Sequence, residues 1–431
     1  IKYEEYSVIN NELKKQTQIM ADFTDHLGSN AQPLRAFKLE RYFAAHEFVA
    51  PRLLCCSDCE PLTLRGLLAQ ASPPLRRLYD DLGLGYTESR GHPLLLQAIA
   101  ALHPAVPALA VPGGPLAPIV IAPQEGVYLA MRALLARGDR VVCTMPGYQS
   151  LSEVAIAIGC TVVPWWAEGV VEQRTEETPS PPFGFDLDAL AALLGPRGTT
   201  KLLVVNFPHN PTGSHPSHEE WAALLACCRA ADCYLFSDEM YRGLELNGVA
   251  PLASAVELYD KAVVLCGVSK ALSLPGLRIG WLLSQSKSFL DRVSELKDFT
   301  TICSSAPSEI LALIALENRD AIIAANVALV LTNVNVHLRP FFTKHEAWVV
   351  WREPEAGTVA FPRLTPRALA ERWASVEVFC AELRVVSGVL LLPAAVYADD
   401  ALAQVRLRER EREREEGRGG ERVEDPAWLC R

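Results

Sequence analysis

The sequence is short of several things that would place it quickly. It has no excess of positive charge: 41 Lys and Arg stand against 51 Asp and Glu, a formal net charge of −10. Proteins that read nucleic acid usually carry a basic face, so duplex binding is not expected. It lacks metal-ligand spacing. Cys56 and Cys59 make one C-x-x-C, and Cys228 and Cys233 lie far along the chain with no histidines at ligand distance, so no metal is expected. The twelve cysteines are scattered and include the neighbours Cys55/Cys56 and Cys227/Cys228. That argues against a secreted disulfide scaffold and for reduced thiols, hence a cytoplasmic location. The N-terminal Ile1–Met20 is polar and lacks the apolar core of a signal peptide, although the chain begins at Ile rather than Met, which leaves organelle targeting open. The longest charge-free stretch, Ala321–Leu338, contains Asn326, Asn333, Asn335 and His337, and reads as a buried helix rather than a bilayer span, so no membrane association is expected. Gly83, Gly85 and Gly91 miss the dinucleotide fingerprint, because Glu88 stands where its third glycine belongs. There is no internal repeat.

What remains is an ordinary globular composition over 431 residues, 50% hydrophobic and 21% charged, enough for one large enzyme-sized unit. Short apolar runs alternate with helical patterns. Strands are predicted at Pro118–Ala122, Arg140–Thr144, Cys160–Val163, Lys201–Asn206, Cys233–Ser237, Ala262–Gly267 and Leu277–Leu283. Helices are predicted at Pro123–Ala136 and Tyr148–Ile158. Strands interleaved with helices predict an α/β fold with a mostly parallel sheet covered on both faces. Before it, Ala36–Gln70 reads as short helices broken by Pro51 and Pro61. After it, a helical section from Glu309 leads to an irregular α+β end with strands at Thr358–Phe361 and Gly388–Leu392. The expected division is a loose extension over 1–32, the first part of a small domain over 33–81, a large domain over 82–320, the rest of the small domain over 321–407, and a charged tail over 408–431.

In open α/β sheets ligands sit beyond the carboxyl ends of the strands, so the residues following each apolar run matter most. After Lys201–Asn206 comes Phe207-Pro208-His209-Asn210-Pro211-Thr212-Gly213. After Cys233–Phe236 comes Ser237-Asp238-Glu239-Met240-Tyr241. After Ala262–Cys266 comes Gly267-Val268-Ser269-Lys270, and then Pro275-Gly276-Leu277-Arg278. Successive strand ends therefore offer an amide, a carboxylate with a phenol, a lysine and an arginine. Pyridoxal 5′-phosphate needs that set: a lysine for a Schiff base, an acid at the pyridine nitrogen, donors at the phenolic oxygen and cations at the phosphate.

In this order and spacing the motifs resemble the fold-type I, class I/II family of pyridoxal-phosphate-dependent aminotransferases, over roughly residues 33–407. The resemblance implies a large domain with a central sheet and a smaller α+β domain built from both chain ends. It implies Lys270 as the Schiff-base lysine and proton carrier, Asp238 at the pyridinium nitrogen, Asn210 and Tyr241 at the phenolic oxygen, and Arg278 at the phosphate. It makes Tyr148, in Met145-Pro146-Gly147-Tyr148, the ring that stacks on the cofactor. Tyr86 matches a tyrosine that reaches the neighbouring subunit's phosphate, which implies a homodimer with shared active sites. Arg406, in Gln404-Val405-Arg406-Leu407, matches the arginine that clamps the substrate α-carboxylate bidentately, with Asn210 also on the substrate side. A pocket wall is expected from Ser57–Glu60 and Phe299–Ser304. The implied activity is transamination between an amino acid and a 2-oxo acid. Elimination, replacement or cyclisation is the alternative, because the text around Asn206–Gly213 and Glu355–Leu364 is diffusely similar to the capreomycidine synthase branch. A catalytically impaired member is a further alternative.

Two departures from the family pattern bear on phosphate binding. The phosphate loop reads Ala122-Pro123-Gln124-Glu125-Gly126, and Pro123 has no N–H to donate, which leaves the N–H groups of Gln124 and Glu125. The position three before the lysine, often a phosphate-binding serine, is Gly267, with Ser269 a partial substitute. Phosphate binding is therefore expected to be weaker than the family norm. Beyond Arg406 the chain turns to strict Arg/Glu alternation up to Glu415. In a helix this sets like charges at i,i+4 against opposite charges at i,i+3, so a solvated tail that gives Arg406 little support is expected.

Overall fold

The computed structural model describes residues 34–167 and 184–397. The expectations for the N-terminal extension, Arg406 and the charged tail lie outside these residues.

Seven strands form the central sheet: β1 (Ile119–Ile121), β2 (Arg140–Met145), β3 (Thr161–Trp166), β4 (Leu202–Asn206), β5 (Tyr234–Asp238), β6 (Ala262–Gly267) and β7 (Gly280–Ser284), in the order β1-β7-β6-β5-β4-β2-β3. Neighbours pair in parallel from β6 to β3, and β7 runs antiparallel to both β6 and β1. The runs are apolar throughout because both faces are covered. Leu202, Leu203, Val204 and Val205 are all fully buried. Alternate residues feed opposite layers: Leu203, Val205, Leu235 and Val264 pack on one face, while Leu202, Val204, Phe236 and Val263 pack on the other. The predicted fold class is thus the one observed.

The helices that matter for the site are α1 (Lys38–His46), α2 (Pro93–Ala101), α3 (Pro123–Leu134), α4 (Ser150–Ile158), α5 (Lys287–Lys297), α6 (Ala306–Glu317) and α7 (Arg319–Asn333). The short strand Arg52–Leu53 pairs in parallel with Val389–Leu390, so segments near the two ends of the described chain pair with each other.

Three expectations are corrected. The last sheet strand begins at Gly280 rather than Leu277, because Pro275–Leu277 forms a 3-10 turn and Arg278 is left-handed at φ 57°. Thr358–Phe361 is not a strand. Gly357 turns the chain at φ 84°, and the Thr358 hydroxyl donates to the Ser57 carbonyl at 2.7 Å, holding this segment across the site. The strand pairing appears instead at Arg363–Leu364, antiparallel to Val349–Val350. The Ala321–Leu338 helix is not a buried one. Of α7 and the turn that continues it, only Ile322, Asn326 and Val334 are buried, and one face packs while the rest is open. By length and composition alone, Arg319–Lys344 is long and apolar enough to cross a membrane.

Gly91 shows how tightly the sheet edge is built. It sits at φ 124°, and a Cβ there would stand 2.4 Å from Val120 Cγ2 in β1. Gly91→Ala is expected to cost about 2 to 4 kcal/mol, combining backbone strain with overpacking. A change below about 1 kcal/mol in chemical denaturation would contradict this.

Candidate active site

The strand ends bring their polar residues to one place. Asn206, the last residue of β4, acts as a staple. Its Nδ2 donates to the Asp238 carbonyl at 3.0 Å, and its Oδ1 accepts the N–H of Asn210 at 2.9 Å. Asn210 and Asp238 are thereby fixed relative to each other. Asp238 ends β5 and is buried, with one carboxylate oxygen accepting the Met240 N–H at 3.1 Å. Burial disfavours its charged form and pushes its pKa up to about 7. The Met240 hydrogen bond and the Lys270 charge pull the other way, and Glu239 adds to the rise.

Lys270 follows β6, and its Nζ is 2.8 Å from Ser57 Oγ and 5.9 Å from the centre of the Tyr241 ring. Burial lowers the pKa of this amine, and Arg278 lowers it further. Asp58 and Asp238 act against both. The loop that carries Lys270 is held from behind by α7, where Asn326 Nδ2 donates to the Ala271 carbonyl at 3.0 Å and the Ser273 hydroxyl at 2.8 Å. Tyr241 is buried, its hydroxyl has no partner within hydrogen-bond distance among the described residues, and its pKa is raised chiefly by burial, with nearby Ser57 acting the other way. Tyr148 is half-buried at the mouth, its ring centre 5.1 Å from that of Phe37 and its hydroxyl 3.2 Å from Glu40 Oε1. Its pKa is raised by burial, then by Glu40, with Tyr241 and Asp238 adding to the rise.

The remaining expected residues divide. Gln124 and Glu125 lie in the first turn of α3, where no side chain caps the helix and the first intrahelical bond recorded is that of the Gly126 N–H to the Ala122 carbonyl. The Glu125 carboxylate is taken up by Thr300 and Thr301. Ser269 is buried with an unpartnered hydroxyl. Arg278 is exposed, donates to the Pro275 carbonyl at 3.1 Å, and reaches the Lys270 amine through its charge. Tyr86 is 92% exposed and is not brought into this chain's own site. Arg406 lies outside the described residues. Of the expected pocket wall, Ser57 is at the lysine, whereas Phe299 is 91% exposed. Sequence reasoning missed Asn206 as a staple and Asn326 as a support. The first was legible as the opening residue of its motif, and the second had no local signal.

This residue set fits pyridoxal phosphate. A lysine amine and a carboxyl face each other through their charges. Around them three buried polar atoms lack partners within hydrogen-bond distance among the described residues: the Tyr241 hydroxyl, the Ser269 hydroxyl and the Asn210 side-chain oxygen, whose amide can turn over to present its NH₂. The open N-terminus of α3 suits an anion.

The sequence matches the model of the aminotransferase class I and II family over residues 77–408, and the chain belongs to that family. It is a pyridoxal-phosphate-dependent aminotransferase by class. It is 31% identical to the capreomycidine synthase of Streptomyces vinaceus over 87% of this chain and 90% of that one. Among solved structures it resembles a PLP-dependent aminotransferase of Streptococcus suis, with a TM-score of 0.72 and 26% identity over 84% of this chain and 90% of that one. It also resembles the PLP-dependent cyclase OrfR, with a TM-score of 0.72 and 27% identity over 91% of this chain and all of that one.

The geometry yields two predictions. At position 267 a Cβ would stand 2.9 Å from both Gly280 Cα and the Ile279 carbonyl. Gly267→Ser is therefore expected to lower stability without tightening cofactor binding, as read by denaturation and cofactor titration. A tighter cofactor at unchanged stability would contradict this. The second concerns Asp238 in cofactor-free protein. Below about pH 4 its carboxyl is protonated in both folded and unfolded chains. Between about pH 4 and 7 the unfolded chain ionises it while the fold retains the proton, so its contribution to stability is lost as pH rises through the folded pKa of about 7. Asp238→Asn removes this dependence and should gain on the wild type by a few kcal/mol between pH 5 and 8, at about 1.4 kcal/mol per pH unit. An equal stability difference at both pH values would contradict the assignment.

Proposed function

We propose that this protein moves an amino group from an amino acid to a 2-oxo acid, with Lys270 as the cofactor's covalent anchor and as the base at the substrate α-carbon. The observation that carries this is the Lys270 amine, of lowered proton affinity, set beside Asp238 among unpartnered polar groups. When bound, pyridoxal phosphate supplies the electron sink that stabilises negative charge at the substrate α-carbon. The chain's residues do the rest. Lys270, freed from the anchor role, takes the α-proton and returns it, a task that suits an amine whose burial disfavours its charged form. Asp238 keeps the ring nitrogen protonated. Tyr241 and Asn210 hold the phenolic oxygen. Arg278, Ser269 and the Gln124 and Glu125 N–H groups would hold the phosphate, and Tyr148 would cover the ring. Arg406 takes the α-carboxylate.

The assembly we propose is a homodimer in which Tyr86 completes the partner's site. Leu84, Tyr86 and Phe299 are 86%, 92% and 91% exposed. Lys297 Nζ donates to the carbonyls of Ser89 and Ile302, so the two loops that carry these side chains lie together. A cytoplasmic role in amino-acid metabolism is part of the same reading.

A second reading, cyclisation or elimination at the same α-carbon, is favoured by the extent of the likeness to capreomycidine synthase and to the cyclase. One experiment separates them. Adding an amino donor to the cofactor-loaded protein should bleach its yellow colour with one equivalent of 2-oxo acid formed, and a 2-oxo acid acceptor should restore it. Lys270→Ala should lose turnover by several orders of magnitude. Turnover of a donor to a cyclic or unsaturated product, with no need for an acceptor, would overturn transamination and support the second reading.

A further inference from the structure

Residues 35–38 are tied to the start of α4. The Arg35 backbone N–H donates to Glu153 Oε1 at 3.0 Å, and its guanidinium grips the same carboxylate, Nε on Oε1 at 2.9 Å and Nη2 on Oε2 at 2.6 Å. One turn earlier, the Gln149 amide matches the same stretch of backbone at two points. Its Nε2 donates to the Ala36 carbonyl at 3.0 Å, and its Oε1 accepts the Lys38 N–H at 2.8 Å. Gln149 and Glu153 are four residues apart at the start of α4 and so share one helix face. The Glu153 side chain is only 6% exposed. A carboxylate so buried is costly unless well paired, and a bidentate fork with a third N–H pairs it.

What these bonds hold in place faces Tyr148, the residue immediately before Gln149. Phe37, between the tied positions, sets its ring centre 5.1 Å from that of Tyr148, at an interplanar angle of 59°. Glu40, in the first turn of α1, accepts the Tyr148 hydroxyl at 3.2 Å. The neighbouring Gly147 N–H donates to the Tyr397 carbonyl at 3.0 Å, and Leu39, Val396 and Tyr397 form a small core on which Phe37 and Tyr148 pack. The contacts close a loop: Tyr148 leads into α4, α4 holds residues 35–38, and that segment brings Phe37 and Glu40 back onto the Tyr148 ring and hydroxyl.

We infer that Glu153 and Gln149 are positioning residues for Tyr148, acting on the cofactor only through residues 35–38, which fix the tilt of the Tyr148 ring. The inference rests on the reading that Tyr148 covers the cofactor. Attraction between rings depends on their offset and tilt, and a ring free to sample rotamers must be ordered at each encounter, so loosening this segment weakens the cofactor's hold without touching its ligands.

The test is a double-mutant cycle on the full-length chain. Three quantities are read: the dissociation constant from titrating cofactor-free protein with pyridoxal phosphate, the circular dichroism of the bound cofactor's visible band, and stability in denaturant. Tyr148→Ala is expected to weaken the cofactor about tenfold, the scale of an aromatic contact. Glu153→Gln should weaken it about three- to tenfold and alter the visible band, by the same contact loosened rather than removed. Arg35→Lys, which keeps the charge but not the fork, should fall between Glu153→Gln and the wild type. In the Tyr148→Ala background, Glu153→Gln should change the dissociation constant by less than about twofold while still lowering stability. Gln149→Ala, which leaves every charge in place, should repeat the pattern and serves where Glu153→Gln does not fold. An equal loss of affinity in both backgrounds, or lower stability with affinity and visible band unchanged, would overturn the inference and leave the Lys270 reading standing. If Tyr148→Ala itself leaves the affinity unchanged, the placement of Tyr148 on the cofactor falls, and this inference with it.

Discussion

Everything in this molecule is arranged around two charges that burial works against. The Lys270 ammonium and the Asp238 carboxylate both lie at the ends of adjacent parallel strands, where desolvation penalises each charged form and the other's charge partly restores it. At the surface neither shift would arise, because water would solvate both charges. Burial thus moves the lysine toward the free amine that can take a proton and holds Asp238 at a pKa of about 7, the direction that chemistry at an amino acid α-carbon requires.

The fold supplies the fixity. β5 and β6 set the two groups one strand apart, and Asn206 ties the end of β4 to the end of β5. Asn326 reaches from α7 to brace the turn after Lys270, and Ser57 meets the amine from the opposite side. Gly267 and Gly280 let β6 and β7 approach where any Cβ would collide with backbone, and Gly280 lies close enough to Pro123 that the start of α3 is packed against the same point. The loss of a serine at 267 is therefore bound up with a backbone contact, rather than being a free choice at an open position.

Much of this was legible in the sequence, because the signals were local. The apolar runs gave the strands, their carboxyl ends gave Asn210, Asp238, Tyr241, Lys270 and Arg278, and the order of those motifs gave the family. What was not legible depended on distance. Ser57 and Lys270 are 213 residues apart, and Asn326 and Ala271 are 55 apart. No periodicity or motif couples such pairs. Local conformation also won where pattern misled. The left-handed Arg278 delays β7, and the turn at Gly357 with the Thr358–Ser57 bond replaces an expected strand. The Ala321–Leu338 run looked buried by composition, yet it uses chiefly one face.

The central claim is that Lys270, and no other lysine, carries the cofactor. Reducing the pyridoxal-phosphate-loaded protein with borohydride and mapping its peptides by mass spectrometry tests this most directly. The account predicts one phosphopyridoxyl group per chain, on the peptide containing Lys270. A group on Lys297, Lys261 or any other lysine, or no group on a protein that binds the cofactor, would contradict it.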